Sequence, residues 1–377
     1  MPINVMIVDD SGAVRHAVEQ LLEGEEDIVV QASVPDPYAA AKEIKNKVPD
    51  VLILDLEMPK MDGITFLKRI MSQRPIATII CSTLTAEGSP KFLEGLRAGA
   101  VEVLEKPKIS TKKAYAESQL DLIEKIRIAA ASNIGEKKKT SEITRTKTKK
   151  PGASDLASVP KHKPDVLLPL QRFRENGAQE PLVVIGASTG GTVALEMVLT
   201  DLPVTVPGIV VVQHMPEHFT RAFAKRLDTV CKLRVKEAED RDRILPGTVY
   251  IAPGNIHAAV RRIGPKYQIA LIDGPPITRH KPSVDILFRS AAGAAGPNAL
   301  GIILTGMGDD GAIGMKEMRD QGAQTLAQDE KSCVVYGMPR EALLNGGAEK
   351  AVPLNKIPNE ILNFQPQSRS RECTYSA

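Results

Sequence analysis

At 377 residues the chain is long enough for about two domains. Its 42% apolar and 25% charged residues are ordinary for a globular protein and argue against wholesale disorder, collagen-like repeats or a coiled coil. A net charge of only +3, with 3% aromatic residues and no Trp, is a poor basis for stacking single-stranded nucleic acid.

The opening Met-Pro-Ile-Asn-Val-Met lacks the basic and apolar regions of a secretion signal. No stretch reaches the ~18 consecutive apolar residues of a membrane span, so a cytoplasmic protein is expected. From there, short β-rich runs at 4–8, 28–32, 51–54, 76–81 and 102–104 alternate with helical stretches starting near Ser11, Asp36, Gly63 and Gly88. A last helix covers about 115–131. This grammar predicts an α/β domain with a five-stranded parallel, doubly wound sheet. Residues 135–163 carry nine Lys/Arg against three acids, a local charge of +6, so the rest of the chain sums to −3. Rich in Thr, Ser and Pro and poor in large apolar residues, this stretch reads as a basic flexible linker rather than a nucleic-acid-binding arm. Beyond it, continuous apolar strands at 182–186, 208–213 and 300–305 predict a second doubly wound α/β domain, its strands buried on both faces. The expected division is a first domain over 1–125, a linker over 126–179, a second domain over 180–365 and a disordered tail over 366–377. Cys81, Cys231, Cys333 and Cys373 form no Cys-x-x-Cys pair and are expected to be reduced.

Ligands of open α/β sheets gather at the carboxyl ends of the strands, where the first domain places its acids. Asp9 and Asp10 end the first strand and Asp55 the third; Ser82 and Thr83 follow the fourth, and Lys106 follows the fifth. Converging carboxylates repel one another, and a hard divalent cation such as Mg²⁺ relieves this. A lysine opposite them makes sense if further negative charge arrives. A phosphoryl group on one carboxylate would supply it, held by the cation, the Lys106 ammonium and the Thr83 hydroxyl. Taken singly, each of these residues also suits a turn or helix cap.

In the second domain the strand Leu-Val-Val-Ile runs into Gly186-Ala-Ser188-Thr-Gly190-Gly191, a Gly-x-Ser-x-Gly pattern between strand and helix. The turn would expose the Ser188 hydroxyl at a helix N-terminus; it would equally suit a bound phosphate. The next strand ends in Gln213-His214, bringing a candidate base to the same edge. The strand at 300–305 leads into Gly-Met-Gly-Asp309-Asp310-Gly, supplying an acid to orient the imidazole. Spacing does not choose between Asp309 and Asp310. The order Ser, His, Asp differs from that of α/β-hydrolases.

Val-Asp-Asp-Ser, Leu-Asp-Leu-Glu-Met-Pro-Lys-Met-Asp-Gly, Cys-Ser-Thr-Leu-Thr and Leu-Glu-Lys-Pro together resemble the receiver domain of two-component response regulators. The resemblance implies Asp55 as phospho-acceptor, a Mg²⁺ site of Asp9, Asp10, Asp55 and the Glu57 carbonyl, and Thr83 and Lys106 as switch residues. Val103 stands where the family usually has an aromatic switch residue. Residues 180 to about 362 resemble the catalytic domain of the chemotaxis protein-glutamate methylesterase (CheB) family. The shared motifs are Ile-Gly-Ala-Ser-Thr-Gly-Gly-Thr, Gln-His-Met-Pro, Tyr-Ile-Ala-Pro-Gly, His-Lys-Pro-Ser-Val-Asp and Leu-Thr-Gly-Met-Gly-Asp-Asp-Gly-Ala. This implies a triad of Ser188, His214 and Asp310, with Thr189 and Met307 at further active-site positions. The oxyanion donors are open, with the N–H groups of His214 and Met307 as candidates; His257 and His280 read as structural. The implied function is phosphorylation-activated hydrolysis of glutamate γ-methyl esters, with glutamine deamidation, on chemoreceptor helices. A chemotaxis histidine kinase would be the phosphodonor, with no cofactor in the catalytic half, no nucleic-acid partner, and membrane contact only through receptors. A phosphorylation-gated binding module without catalysis is the alternative.

Overall fold

The computed structural model describes residues 2–59, 61–82, 89–107, 111–134, 161–174 and 180–366. The chain divides into two compact units, built mainly on Met1–Val159 and on Pro160–Ala377.

The first unit alternates β1 (Ile3–Val8), α1 (Gly12–Leu22), β2 (Ile28–Val34), α2 (Pro37–Asn46), β3 (Val51–Asp55), α3 (Gly63–Gln73), β4 (Ala77–Ser82), α4 (Ser89–Arg97), β5 (Glu102–Glu105) and α5 (Lys112–Ala130). The helices start where side chains cap them. Ser11 Oγ accepts from Val14 N at 3.4 Å, Asp36 from Tyr38 and Ala39 N at 3.0 and 2.9 Å, and Asp62 from Thr65 N at 2.9 Å. The strands form one parallel sheet in the order β2-β1-β3-β4-β5. Register sets Val8 beside Leu54 and Asp55 beside Cys81, so the residues just past these strands share one edge. The core is aliphatic, with Val5, Ile7, Leu21, Ile53, Ile79 and Leu122 among its buried members.

The second unit is a seven-stranded parallel sheet in the order β14-β13-β12-β6-β7-β9-β8. Its strands are β6 (Leu182–Ala187), β7 (Gly208–Gln213), β8 (Arg234–Glu237), β9 (Thr248–Ile251), β12 (Ala299–Ile303), β13 (Gln324–Gln328) and β14 (Lys350–Val352). An antiparallel hairpin of β10 (His257–Ile263) and β11 (Lys266–Ile272) stands apart from it. The helices are α6 (Gly191–Thr200), α7 (Glu217–Val230), α8 (Val284–Ala295), α9 (Ala312–Asp320), α10 (Met338–Leu344) and α11 (Ile357–Leu362). β7 to β9 are laid out to one side of β6 and β12 to β14 to the other. The strand order therefore reverses at β6, whose carboxyl end lies at a topological switch point. Helix α8 is buried along nearly its whole length and shares one apolar core with the sheet and the hairpin.

Both ends of the stretch expected as linker are ordered where the structure describes them. Helix α5 continues past 125 to Ala130. Residues 161–174 form a strap on the second unit: Pro164 is buried, Leu167 and Leu168 pack on Ala259, Ala270, Ile277 and Ile286, and Asp165 meets Arg289 at 2.8 Å. A composition averaged over 126–179 hides these few apolar anchors among the lysines. Residues 135–160, 175–179 and 367–377 lie outside the described residues. Among the described residues no helix is long and apolar enough to cross a membrane.

Candidate functional site

Both sheets carry chemistry at their carboxyl edges. In the first unit Asp9 and Asp55 are each 2% exposed, and Asp10 is exposed. The β1–α1 loop is held by Arg15, whose Nη1 donates to the Asp9 carbonyl at 2.6 Å, and by Ser11 N, which donates to Asp9 Oδ1 at 2.8 Å. Lys106 Nζ lies 2.8 Å from Asp55 Oδ2 and 3.1 Å from Asp9 Oδ2. The latter approach misses hydrogen-bonding geometry, which leaves Asp9 Oδ2 buried without a hydrogen bond. Burial pushes the Asp55 pKa up against the Lys106 bond, and the Asp9 charge adds to the rise. Burial opposes the charge on Lys106, but Asp55 and Asp9 outweigh it and raise its pKa. Oxygens of Asp9, Asp10 and Asp55 lie within 4.8 Å of one another. Three converging carboxylates, one with an orphaned oxygen, suit a hard divalent cation. The Glu57 side chain turns away to Lys91 at 2.7 Å, leaving only its carbonyl for that role. Val103 is buried in β5, and Thr83 lies outside the described residues.

In the second unit Ser188 follows β6 and precedes α6, whose N-terminus lies just beyond. Gly190, at φ +77°, takes the left-handed turn this requires. Ser188 N donates to Thr305 O at 3.0 Å, drawing the ends of β6 and β12 together. The approach is close enough to exclude a side chain at Gly306, where a Cβ would stand 2.7 Å from Ser188 Cβ and 2.5 Å from Met338 Sδ. Gln213, a buried polar residue at the end of an otherwise apolar strand, donates from Nε2 to Ser188 O at 2.9 Å and His214 O at 3.1 Å. It ties the two segments together. Its anomalous position in Gly-Ile-Val-Val-Val-Gln is the sequence signal that marks it.

His214 Nε2 lies 2.8 Å from Asp310 Oδ2. A carboxylate only accepts, so Nε2 carries a proton, and in the neutral ring the lone pair is on Nδ1. Nδ1 is buried and without a hydrogen-bond partner among the described residues, Ser188 Oγ included. Asp310 is fully buried. Its Oδ1 accepts from Ser283 Oγ at 2.7 Å and Asp285 N at 3.0 Å, and its Oδ2 also accepts from Val284 N at 2.8 Å. The carboxylate thus caps the N-terminus of α8, where the helix dipole favours negative charge. Burial alone would raise its pKa, but the His214 bond, attraction to the His214 and His280 rings and the Asp285 N–H hold it below the usual value. Neighbouring Asp285 is pushed up to about 8 by burial and by Asp310, so the negative charge of the pair sits on Asp310. Asp309 is half-buried and ion-paired with Lys161 of the strap.

His280 does more than fill space. Its ring stacks on His214 with centroids 3.8 Å apart and planes 4° from parallel. Its Nδ1–H donates to Thr278 O at 2.8 Å, and burial, with the His214 charge, lowers its pKa to about 4. It is therefore neutral at neutral pH. The ring is carried by a two-residue turn with Thr278 and Arg279 at φ +50° and +69°, strained for non-glycine residues. Thr278 N donates to His162 O of the strap at 2.9 Å, and its Oγ1 donates to Asp285 Oδ2 at 2.9 Å. Atoms of His214, His280 and Asp310 cluster within 4.8 Å, but in-plane lone pairs on parallel rings cannot converge on one metal ion. His257 is spent structurally, its Nδ1 accepting from Ser283 N at 3.2 Å and its Nε2–H donating to Pro275 O at 3.0 Å.

One expectation fails on geometry. The His214 N–H donates to Ala187 O at 3.0 Å and is not free for an oxyanion. The Met307 N–H makes no hydrogen bond among the described residues, and Met307 itself is 36% exposed at the β12 edge. Thr189 adjoins Ser188 in the turn before α6.

Residues 183–361 match the family described as CheB methylesterase, and residues 5–114 that described as response regulator receiver domain. The chain is 52% identical over 361 residues to the protein-glutamate methylesterase/protein-glutamine glutaminase of group 3 operon of Bradyrhizobium diazoefficiens, covering 96% of this chain and 95% of the relative. It is 50% identical over 365 residues to protein-glutamate methylesterase/protein-glutamine glutaminase 3 of Shewanella oneidensis, covering 97% and 100% respectively. Among solved structures, the Thermotoga maritima CheB methylesterase catalytic domain covers 49% of this chain and 98% of its own, at 40% identity and a TM-score of 0.47.

Proposed function

Because the chain belongs to the CheB family of protein-glutamate methylesterases/protein-glutamine glutaminases, we propose that it hydrolyses glutamate γ-methyl esters on the cytoplasmic helices of chemoreceptors and deamidates glutamines there. Ser188 is the nucleophile. As substrate seats, its hydroxyl proton passes to the open Nδ1 of His214 while Oγ attacks the ester carbonyl. Asp310 stabilises the imidazolium through Nε2–H and holds the ring in the tautomer that leaves Nδ1 basic. His214 then protonates the departing methoxy oxygen or amide nitrogen, releasing methanol or ammonia, and deprotonates the water that cleaves the acyl-enzyme. The Met307 N–H is the oxyanion donor we assign, a contact typically worth ~3–4 kcal/mol.

The observation that carries this reading is the His214–Asp310 pair, 2.8 Å apart at the edge where Ser188 follows β6, with Nδ1 buried and without a hydrogen-bond partner among the described residues. Asp55 is the phospho-acceptor, attacking a phosphoryl group brought by a chemotaxis histidine kinase, and Lys106 exchanges its carboxylate contacts for the phosphoryl oxygens. Asp9, Asp10, Asp55 and the Glu57 carbonyl would hold Mg²⁺, which when bound neutralises the phosphoryl charge. Phosphorylation relieves an inhibition exerted by the receiver on the esterase; a differential of only ~1.4 kcal/mol gives tenfold activation. A fluorophosphonate probe tests the nucleophile directly. Labelling confined to the Ser188 peptide and lost in His214→Ala is expected, whereas an unlabelled Ser188 would leave a binding module without catalysis.

A further inference from the structure

Below the catalytic edge, a cavity of about 690 Å³ opens between the strap, α8 and the β10–β11 hairpin, and five arginines are among the residues that line it. Arg289 is 3% exposed and saturated, held by Glu317, by Asp165 and by Leu168 O. It is the structural member. Arg262 lies over the Phe173 ring at 5.8 Å and donates to Arg174 O at 2.7 Å. Arg172, Arg174 and Arg261 are exposed and have no carboxylate partner among the described residues. The floor between them is small and apolar, including Ala259, Ala270 and Ala294.

Like charges crowded round one groove repel each other, and an unneutralised set raises the local concentration of anions. The volume and apolar floor suit a peptide segment rather than a lone ion. Of the chain's own segments outside the described residues, 135–160 and 367–377 are net basic and would be repelled, and 175–179 carries a single acid, Glu175, too few charges to balance the set. We propose that this groove binds an acidic, glutamate-bearing segment of the receptor substrate, outside the ester being cleaved. This rests on the esterase reading above and deepens it. α8 leads from the Asp310 cap to the groove, and at 1.5 Å per residue Arg289 to Ala294 stand about 8–15 Å along it. That reach lets the groove grip a substrate helix a turn or more from the modified glutamate. Each turnover creates a carboxylate, so the groove favours segments already demethylated and retains the enzyme on a partly processed receptor.

The test uses the full chain and fluorescent octaglutamate and octaglutamine peptides, with anionic phosphatidylglycerol vesicles as a competitor. Octaglutamate is expected to bind at least about tenfold more tightly than octaglutamine, and to weaken from low to physiological salt. The exposed double variant R172E/R261E is expected to lose about tenfold in peptide affinity, as is R172Q/R261Q to a smaller degree. On methylated receptor membranes R172E/R261E should raise KM with kcat unchanged, and turnover of N-acetylglutamate γ-methyl ester should not change. Equal binding of the two peptides, binding unaffected by either variant, or capture of vesicles without capture of octaglutamate would overturn the proposal. Peptide binding needs no catalysis. Octaglutamate binding that depends on Arg172 and Arg261, in a protein releasing no methanol, would sustain the groove while rejecting the esterase reading.

Discussion

Replacing Asp310 with Asn keeps the shape of the side chain and removes its charge, and the four donors around it dictate how the amide can settle. Each oxygen of Asp310 accepts two hydrogen bonds, Oδ1 from Ser283 Oγ and Asp285 N, Oδ2 from His214 Nε2 and Val284 N. An amide must place its NH₂ at one of these positions. Facing Oδ2's partners, it would oppose the Val284 N–H and force His214 to carry its proton on Nδ1, which destroys the base. Facing Oδ1's partners, it would orphan only the Asp285 N–H, because the Ser283 hydroxyl can rotate to accept. The second orientation wins, at a stability cost of about 1–3 kcal/mol for one buried donor left unpaired. The tautomer then survives, but the charge that stabilises the imidazolium does not. For charge centres ~4 Å apart at an effective dielectric of ~20 this is worth about 4 kcal/mol, or a ~10³-fold fall in kcat. Methanol release from methylated receptor membranes gives kcat, and denaturant unfolding separates it from folding. A folded Asp310→Asn enzyme retaining more than about a tenth of wild-type kcat would refute the role given to the carboxylate.

Asp55→Asn should abolish the response to a small phosphodonor and leave basal esterase activity in place; a retained response would move the phospho-acceptor elsewhere. Removing residues 1 to about 150 should raise basal activity, because the strap at 161–174 is kept. Removing residues 1–180 should lower kcat instead, since Thr278 loses the His162 carbonyl and the turn carrying His280 is freed; equal rates would show the strap to be idle. His280→Ala should cut kcat by ~10–100-fold at unchanged KM, as the His214 ring loses the plane that positions it. The same variant tests pH dependence. With its pKa lowered to about 4 by burial, His280 binds a proton more weakly folded than unfolded, so stability falls as pH drops from ~6.5 towards 4. That slope should flatten in His280→Ala, and an unchanged slope would assign the loss to other groups.

Much of the architecture is legible from where charge sits relative to apolar runs. Asp9, Asp55, Lys106, Ser188 and His214 each end or follow a β-rich stretch, and parallel pairing carries such residues to the carboxyl edge of their own sheet whatever the loops do. Spacing does not separate Asp309 from Asp310, because both leave the same strand. Burial and contacts distinguish the two, since half-buried Asp309 meets Lys161 while buried Asp310 meets His214 and caps α8. His280 reads as structural in the sequence because stacking joins a loop after β11 to the end of β7, a contact without sequence periodicity. Strands β8, β9, β13 and β14 are short, polar at one end or both, or separated by irregular turns, and so give weaker signals than the continuous runs of β6 and β7. The strap is masked for the opposite reason, its few anchors diluted by neighbouring lysines.

The central claim is a serine esterase gated by a receiver, and methanol release from methylated receptor membranes, with and without a phosphodonor, tests it most directly. Release that rises with the phosphodonor in the full chain, ceases in Ser188→Ala and stays basal in Asp55→Asn is the predicted result. Release that persists in Ser188→Ala, or none from the full chain under either condition, would contradict it.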